Sequence, residues 1–184
     1  NGNAIILTNE KAIAVGCKAT VIPTDGSVDK IWKDAFYGCA ALTSIDIPEN
    51  VTVICEKAFY GSGLINVDVH KNMQTIKSGA FDNLASLTTI NFNAANCNAD
   101  EECCDYKDFV GCKKGVVVNV GKDVEVINGG IFSGSDSIAS VKFASDCKVS
   151  TLGRNAFKGC YNSSFARFDI PSSITTLETG CFAD

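Results

Sequence analysis

The residues of this chain that could do chemistry are ten cysteines, one histidine and one acidic segment. His70 is the single histidine, and no motif places a serine or cysteine nucleophile beside it. We therefore predict that His70 is a surface side chain and that the chain has no catalytic site. Cys97, Cys103, Cys104 and Cys112 could offer four thiolates to zinc, but the pattern Cys-x5-Cys-Cys-x7-Cys matches no standard zinc site. We predict no metal and no cofactor.

The acidic segment at residues 93–108 raises the separate possibility of calcium. Its five carboxylates lack the Asp-x-Asp-x-Asp-Gly order of a calcium loop, which favours a solvated acidic loop; they are Asp100, Glu101, Glu102, Asp105 and Asp108. Cys97 could form a disulfide with Cys103 or Cys104 across this loop, and free thiols are the alternative.

Length and charge exclude several classes of protein. The 184 residues suit one domain or one stack of repeats. Sixteen Lys and Arg against 21 Asp and Glu give a net charge of -5, which argues against a nucleic-acid partner. No run of 18 apolar residues occurs, so we expect no membrane insertion in this segment.

The elements that position these residues follow from an internal repeat. Seven phenylalanines lie 23, 22, 28, 23, 25 and 25 residues apart, and each has an apolar residue or Cys five positions earlier; they are Phe36, Phe59, Phe81, Phe109, Phe132, Phe157 and Phe182. A second apolar cluster follows each Phe. The unit is Ile-x4-Phe-x5-Leu-x2-Ile-x-Ile, about 23 residues long, which is typical of leucine-rich repeats.

Each part of the unit has a physical interpretation. In the first repeat, the alternation over residues 42–47 predicts a short strand with one buried face, ended by Pro48. Stacked coils would place such strands in a parallel sheet, with the phenylalanines forming an aromatic ladder on the opposite wall. We predict a β-rich solenoid of the α/β repeat type: a right-handed leucine-rich-repeat solenoid.

The motifs AFYGCAALTSIDIP (35–48) and AFKGC (156–160) closely resemble the BspA-like subclass of leucine-rich repeats. The resemblance implies six to seven repeats over residues 23–184, behind a β-rich lead-in at residues 1–22 that caps the sheet. It also implies a secreted or surface-anchored protein without enzymatic activity. The absence of a signal peptide and the end just after Phe182 predict a piece of a longer protein with an unfinished last coil.

The repeat register also assigns several cysteines. Cys39, Cys112 and Cys160 each lie three positions after a repeat Phe, and Cys181 directly precedes one. We predict that these positions are small buried sites holding free thiols. The irregular coil at residues 93–108 is about five residues too long, and we predict Cys104 in its isoleucine position.

The candidate binding site is the concave face of the strands. The side chains between the buried strand residues form a polar column of Asp46, Asp68, Asn91, Asn119, Lys142 and Asp169, and Arg167 lies one position before the buried pair of its coil. Such a surface could bind an extracellular protein or a glycan. The alternative is a passive spacer within a longer surface protein, whose exposed strand face is polar only because it meets water. Trp32, Tyr37 and Tyr60 could form an aromatic patch on the other side.

Overall fold

The computed structural model describes residues 5–8, 11–14, 21–99, 107–160 and 168–183. These residues form strands and turns and no helix. The strands in chain order are β1 (Ile5–Thr8), β2 (Lys11–Ala14), β3 (Lys30–Ile31), β4 (Val53–Ile54), β5 (Asn66–Val69), β6 (Thr75–Ile76), β7 (Thr89–Phe92), β8 (Asn98–Ala99), β9 (Val116–Val120), β10 (Val126–Ile127), β11 (Ile138–Phe143), β12 (Thr151–Leu152) and β13 (Thr176–Leu177).

The lead-in contains an antiparallel hairpin. β1 pairs with β2 from Ile5 opposite Ala14 to Thr8 opposite Lys11, in agreement with the predicted strand-rich start. Residues 21 and 22, the end of the predicted β-rich lead-in, form no strand, and Pro23 after them lacks the N–H group that a ladder needs. Ile22 is instead buried in the core. The capping role of residues 1–22 stays a prediction.

Four of the strands form the main sheet of the solenoid. The order β5-β7-β9-β11 is parallel throughout, with one strand contributed by each of four successive coils. Their side chains alternate between a buried face and a face open to solvent, as in β5, where Val67 and Val69 are buried while Asn66 and Asp68 are exposed. The predicted parallel sheet is therefore confirmed over these four coils.

The first and last coils depart from this prediction. Residues 42–47 and 168–170 are not strands, so the strand expected at Leu42–Ile47 is wrong. The Ile65 N–H, directly before β5, donates to Thr43 O at 3.1 Å and so connects the first coil to the next. Ile45 and Ile47 are only partly buried against the core.

A second row of strands, each two residues long, carries the isoleucine position of the repeat. β3, β4, β6 and β8 form one parallel sheet, and β10, β12 and β13 form another. Ile31, Ile54 and Ile76 are buried there. In the irregular coil, Ala99 of β8 lies opposite Ile76, so the expectation that Cys104 holds this position is wrong. The extra residues of that coil fall between Ala99 and Phe109, and Cys103 and Cys104 lie outside the described residues.

The seven repeat phenylalanines form the predicted aromatic ladder. Neighbouring ring centroids lie 4.9 to 5.9 Å apart, and the rings are within 5° of parallel from Phe36 to Phe109. The largest tilt, 27°, separates Phe109 from Phe132, directly after the irregular coil. Phe92 packs edge-on against Phe132 from the buried face of β7, which places the ladder across the core from the main sheet.

The turn after each ladder phenylalanine explains the glycine in FYGC and FKGC. The residue two positions after Phe has a positive φ in six coils: Gly38, Gly61, Asn83, Gly111, Gly134 and Gly159, with φ from 57 to 72°. Glycine reaches this region without steric cost, and asparagine tolerates it better than other residues. The following residue then turns inward to fill the buried position where Cys39, Cys112 and Cys160 lie.

The ladder yields a direct test. Phe81 is fully buried between Phe59 and Phe109, so Phe81→Ala should lower the free energy of unfolding by about 3–5 kcal/mol through the cavity that it leaves. Tyr37→Ala is the matched control, since Tyr37 stacks on Tyr60 at 4.9 Å but is 53% exposed; it should cost about 1 kcal/mol. Urea unfolding measures both. If both variants lose the same free energy of unfolding, the buried ladder stabilises the fold no more than an exposed pair of rings does, which would contradict the prediction.

Candidate functional site: the polar face of the main sheet

The solvent face of the main sheet carries the side chains that the sequence singled out. Asp68, Asn91, Asn119 and Lys142 lie directly opposite one another on β5, β7, β9 and β11. We call these four residues the polar column. They share one face because each lies between two inward-pointing residues of its strand, as Asn91 does between Ile90 and Phe92.

A chain of side-chain hydrogen bonds connects the first three members of the polar column. Asn91 Nδ2 donates to Asp68 Oδ1 at 2.6 Å, and Asn119 Nδ2 donates to Asn91 Oδ1 at 2.9 Å. A carboxylate can only accept hydrogen bonds, so Asp68 forces Asn91 to turn its amino group toward β5. Asn91 then presents its carbonyl oxygen to Asn119, which is oriented the same way. The charge of Asp68 thus sets the direction of both amides.

The fourth member, Lys142, ends the polar column with the opposite charge. Its side chain is exposed on β11, and no ion pair joins it to another of the described residues. Asp68 and Lys142 are three strand spacings of about 4.8 Å apart, so about 14 Å separates their positions on the sheet. The face therefore has a negative end, two oriented amides and a positive end.

A second set of small side chains runs beside the polar column on the same face. It consists of Asn66, Thr89, Val117 and Ser140, again one from each strand. Thr88, next to this set, donates its hydroxyl to the backbone oxygen of Ile65 at 3.1 Å. Lys142 therefore has the longest side chain among these two sets.

Two other predicted site residues are not brought into the polar column, and a third lies outside the described residues. Asp46 and Asp169 are exposed, but among the described residues their segments 42–47 and 168–170 form no strand of the main sheet, so the structure does not place them in register with Asp68. Arg167 lies outside the described residues. The structure thus brings together the central four residues of the predicted set, and their role in binding stays a prediction.

Charged residues elsewhere pair with one another between successive coils. Lys33 bonds Glu56 at 2.9 Å and Lys148 bonds Asp123 at 2.8 Å, while Lys71 lies 3.5 Å from Glu49 and Lys114 pairs with Asp136. The hydrogen bond from Lys33 lowers the pKa of the Glu56 carboxyl. Such exposed pairs contribute little to stability. They neutralise charge along the flanks of the solenoid.

The aromatic patch expected from the sequence divides into two separate contacts. The rings of Tyr37 and Tyr60 stack on each other at 4.9 Å and 3°, continuing the register of the ladder at the surface. The Lys30 amino group lies 4.9 Å from the Trp32 ring centroid, in a cation–π contact. Both arrangements occupy ring faces with partners from this chain.

Asp108 is the residue whose role the sequence analysis missed. It holds the position before the ladder Phe that is small in most coils, and its side chain is fully buried. Its Oδ1 accepts hydrogen bonds from the Phe81 N–H at 2.8 Å and the Phe109 N–H at 3.1 Å. In regular coils a backbone oxygen of the next coil does this, as Ala58 O does for the Phe36 N–H. The break in the small-residue pattern was the available signal.

Further side-chain hydrogen bonds satisfy main-chain groups of this irregular coil. Phe109 has a φ of 60°, a strained value for a bulky residue. The Ser135 hydroxyl donates to Asp108 O at 2.6 Å, and Asp82 Oδ1 accepts from the Val110 N–H at 2.8 Å. Burial raises the pKa of the Asp82 carboxyl. Carboxylates and hydroxyls here replace main-chain hydrogen bonds that the altered register has broken.

The cysteine positions agree with the prediction of buried free thiols. Cys39, Cys112, Cys160 and Cys181 are all buried, and Cys97, Cys112, Cys160 and Cys181 are free thiols. Cys112 Sγ donates to Phe81 O at 3.3 Å, and Cys160 Sγ donates to Phe132 O at 2.8 Å, so the position is one for a small donor and not only for an apolar group. Burial raises the thiol pKa of Cys97, Cys112 and Cys160 to about 12. These thiols stay protonated at neutral pH.

The candidate zinc ligands and His70 have different outcomes. Only Cys97 and Cys112 of the four zinc candidates lie within the described residues. His70, expected at the surface, is half-buried against the backbone of Pro48 and Val51 in the preceding coil, and burial lowers its pKa.

The described residues contain no helix long and apolar enough to cross a membrane.

Comparison with known proteins identifies this repeat geometry. Residues 14–108 and 105–184 match the family model described as a BspA type leucine rich repeat region, with 6 copies. The chain belongs to this family. BspA-type repeats are typically protein-interaction modules without enzymatic activity, and the family resemblance from the sequence is confirmed.

A solved structure supports the same fold for these BspA-type repeats. The chain is similar to a leucine-rich repeat protein from Bacteroides ovatus ATCC 8483, with a TM-score of 0.51 and 16% sequence identity. The match covers 85% of this chain and 47% of that one, so the chain spans less than half of its structural neighbour. At this identity the likeness shows the fold alone. The search of curated proteins gives no match.

The repair by Asp108 can be tested by substitution. Asp108→Ala leaves two buried N–H groups without an acceptor, and it should lower the free energy of unfolding by about 2–5 kcal/mol. Asp108→Asn keeps one acceptor oxygen and should lose clearly less. Asp123→Ala, which removes an exposed ion pair, is the surface control and should change stability least. If Asp108→Ala is as stable as Asp123→Ala, the carboxylate does not hold the coil.

Proposed function

We propose that this chain is a recognition module that binds a protein ligand through the polar face of its main sheet. The observation that carries the proposal is the polar column itself. Its side chains are oriented before any ligand arrives, because Asp68 fixes the direction of Asn91 and Asn119. Because these side chains are already ordered, they lose little conformational freedom when a ligand binds. Preorganisation of this kind favours affinity.

The charge distribution over the rest of the surface supports the same proposal. Away from the polar column, three lysine–carboxylate pairs between successive coils neutralise each other. On the polar face, Asp68 and Lys142 stand about 14 Å apart, too far for mutual pairing. Their charges are available to a partner, and complementary charges favour both the rate and the specificity of association.

The cellular place of this module is part of the proposal. The resemblance to BspA-like repeats favours a secreted or surface-anchored protein that takes part in adhesion. The thiols do not decide the compartment, since Cys112, Cys160 and Cys181 fill repeat positions where burial shields them from oxidants and partners alike.

The alternative function is a spacer that only holds other domains apart. The continuous phenylalanine ladder would suit this role, since it links seven successive repeat positions. A spacer needs a water-compatible face but no particular arrangement of charge on it. The two functions therefore differ in whether the identity of Asp68 matters once stability is kept.

A binding screen against extracellular matrix proteins and glycans, followed by charge reversal, separates the two functions. Asp68→Lys should weaken binding to any protein found in the screen at least about tenfold, because it removes the negative end of the polar column and frees both amides to turn. Asp46→Lys is the matched control, since Asp46 is also exposed and acidic but lies outside the main sheet; it should bind like the parent chain.

Stability is measured alongside, so that a loss of binding is not a loss of fold. The unfolding midpoints of Asp68→Lys and Asp46→Lys should agree with each other. A screen that yields no ligand would support the spacer, and ligands whose binding ignores Asp68 would overturn the polar column as the binding site. If every ligand found is a glycan and its binding depends on Asp68, the polar column remains the binding site, but the partner is a glycan and not a protein.

A further inference from the structure

The order of charges in the polar column restricts what can bind across it. Asp68 accepts only, the outward N–H and C=O of Asn91 and Asn119 both donate and accept, and Lys142 donates only. A complementary segment must therefore present a basic group at one end, a polar group in the middle and an acidic group at the other end. This order runs across the strands, along the direction in which the coils stack.

The length of the polar column decides between an extended and a helical partner. Three strand spacings separate Asp68 from Lys142, which is about 14.4 Å. Four residues of extended chain span about 13.6 Å, and residues i, i+2 and i+4 point to one side. A helix returns to the same side after 7 or 11 residues, at about 10.5 or 16.5 Å. The extended chain fits the spacing, and the helix misses it by about 2–4 Å.

The neighbouring side chains agree with an extended occupant. Thr89, Val117 and Ser140 beside the polar column are short and half-buried, so a backbone can lie against the sheet there. Such a segment crosses the strands, so its main chain is not expected to add a strand to the sheet. Its recognition would rest on the three downward-pointing side chains.

We infer that the polar column recognises an extended peptide segment that carries a basic residue, a polar residue and an acidic residue at positions i, i+2 and i+4, in either chain direction. The basic side chain lies over Asp68, the polar one over Asn91 and Asn119, and the acidic one over Lys142. This inference rests on the proposed function, and it names the chemistry of the partner at that site.

The test is a selection from a random linear peptide library at low salt, performed on the parent chain and on two variants. On the parent chain, selected peptides should carry opposite charges four residues apart. On Asp68→Lys, which gives the column two positive ends, the same spacing should carry two acidic residues. On Lys142→Glu, which gives it two negative ends, it should carry two basic residues. Each exposed ion pair changes affinity by up to about fivefold, and added salt should reduce the preference.

Synthesised peptides then measure the spacing directly. A peptide with Lys, Asn and Glu at i, i+2 and i+4 should shift the backbone amide signals of β5 to β11 in an NMR titration. A matched peptide of the same composition, with Lys and Glu seven residues apart, can keep only one of the two ion pairs and should bind about two- to fivefold more weakly. The unfolding midpoints of Asp68→Lys and Lys142→Glu should equal that of the parent chain, so that a changed peptide preference reports on the polar column and not on a loss of fold.

The outcomes separate this inference from the function on which it rests. Identical peptide preferences on all three proteins, no charge pair at i and i+4, or no enrichment on the parent chain would each overturn the inference. If protein ligands from the screen still depend on Asp68, the recognition function stands without it. If the screen also finds no ligand that depends on Asp68, both fall together.

Discussion

The whole structure depends on the register with which one coil stacks on the next. A single coil is too thin to bury its own apolar residues, so each relies on its neighbours for a core. The register is held by two contacts that repeat in every regular coil: the parallel main-chain pairing of the strands and the stacking of one phenylalanine on the next. Because the same register aligns Asp68, Asn91, Asn119 and Lys142 across the main sheet, the candidate site is a consequence of the packing.

The sequence predicted the features that depend on this register and missed those that depend on its disturbance. The spacing of the phenylalanines predicted the ladder because one large side chain per coil has only one place to go. The alternation around Asp68 and Asn91 predicted their shared face. At residues 42–47 the pattern was as good, but the structure forms no strand there. In the irregular coil, backbone pairing selected Ala99, where the spacing from Phe109 had favoured Cys104.

Asp108 shows why the repair of an irregular coil is hard to predict from a repeat pattern. A carboxylate in a position that is usually small suggests a solvated loop when the sequence is considered alone. In the structure it is buried and supplies the acceptor that the lengthened coil no longer offers to Phe81 and Phe109. The demand comes from main-chain groups that must be satisfied once they are buried. By contrast, the hydrogen-bonded polar column needed only regular strands and the fact that a carboxylate cannot donate.

The central claim is that Asp68 orients the amides of the polar column. The most direct measurement is the hydrogen-exchange rate of the side-chain NH2 protons of Asn91 and Asn119 by NMR, with the exposed Asn93 as internal reference. The account predicts that one proton of each amide exchanges more slowly than those of Asn93, and that this protection is lost at Asn91 first in Asp68→Ala. Exchange at the Asn93 rate in the parent chain, or protection that survives Asp68→Ala, would contradict it.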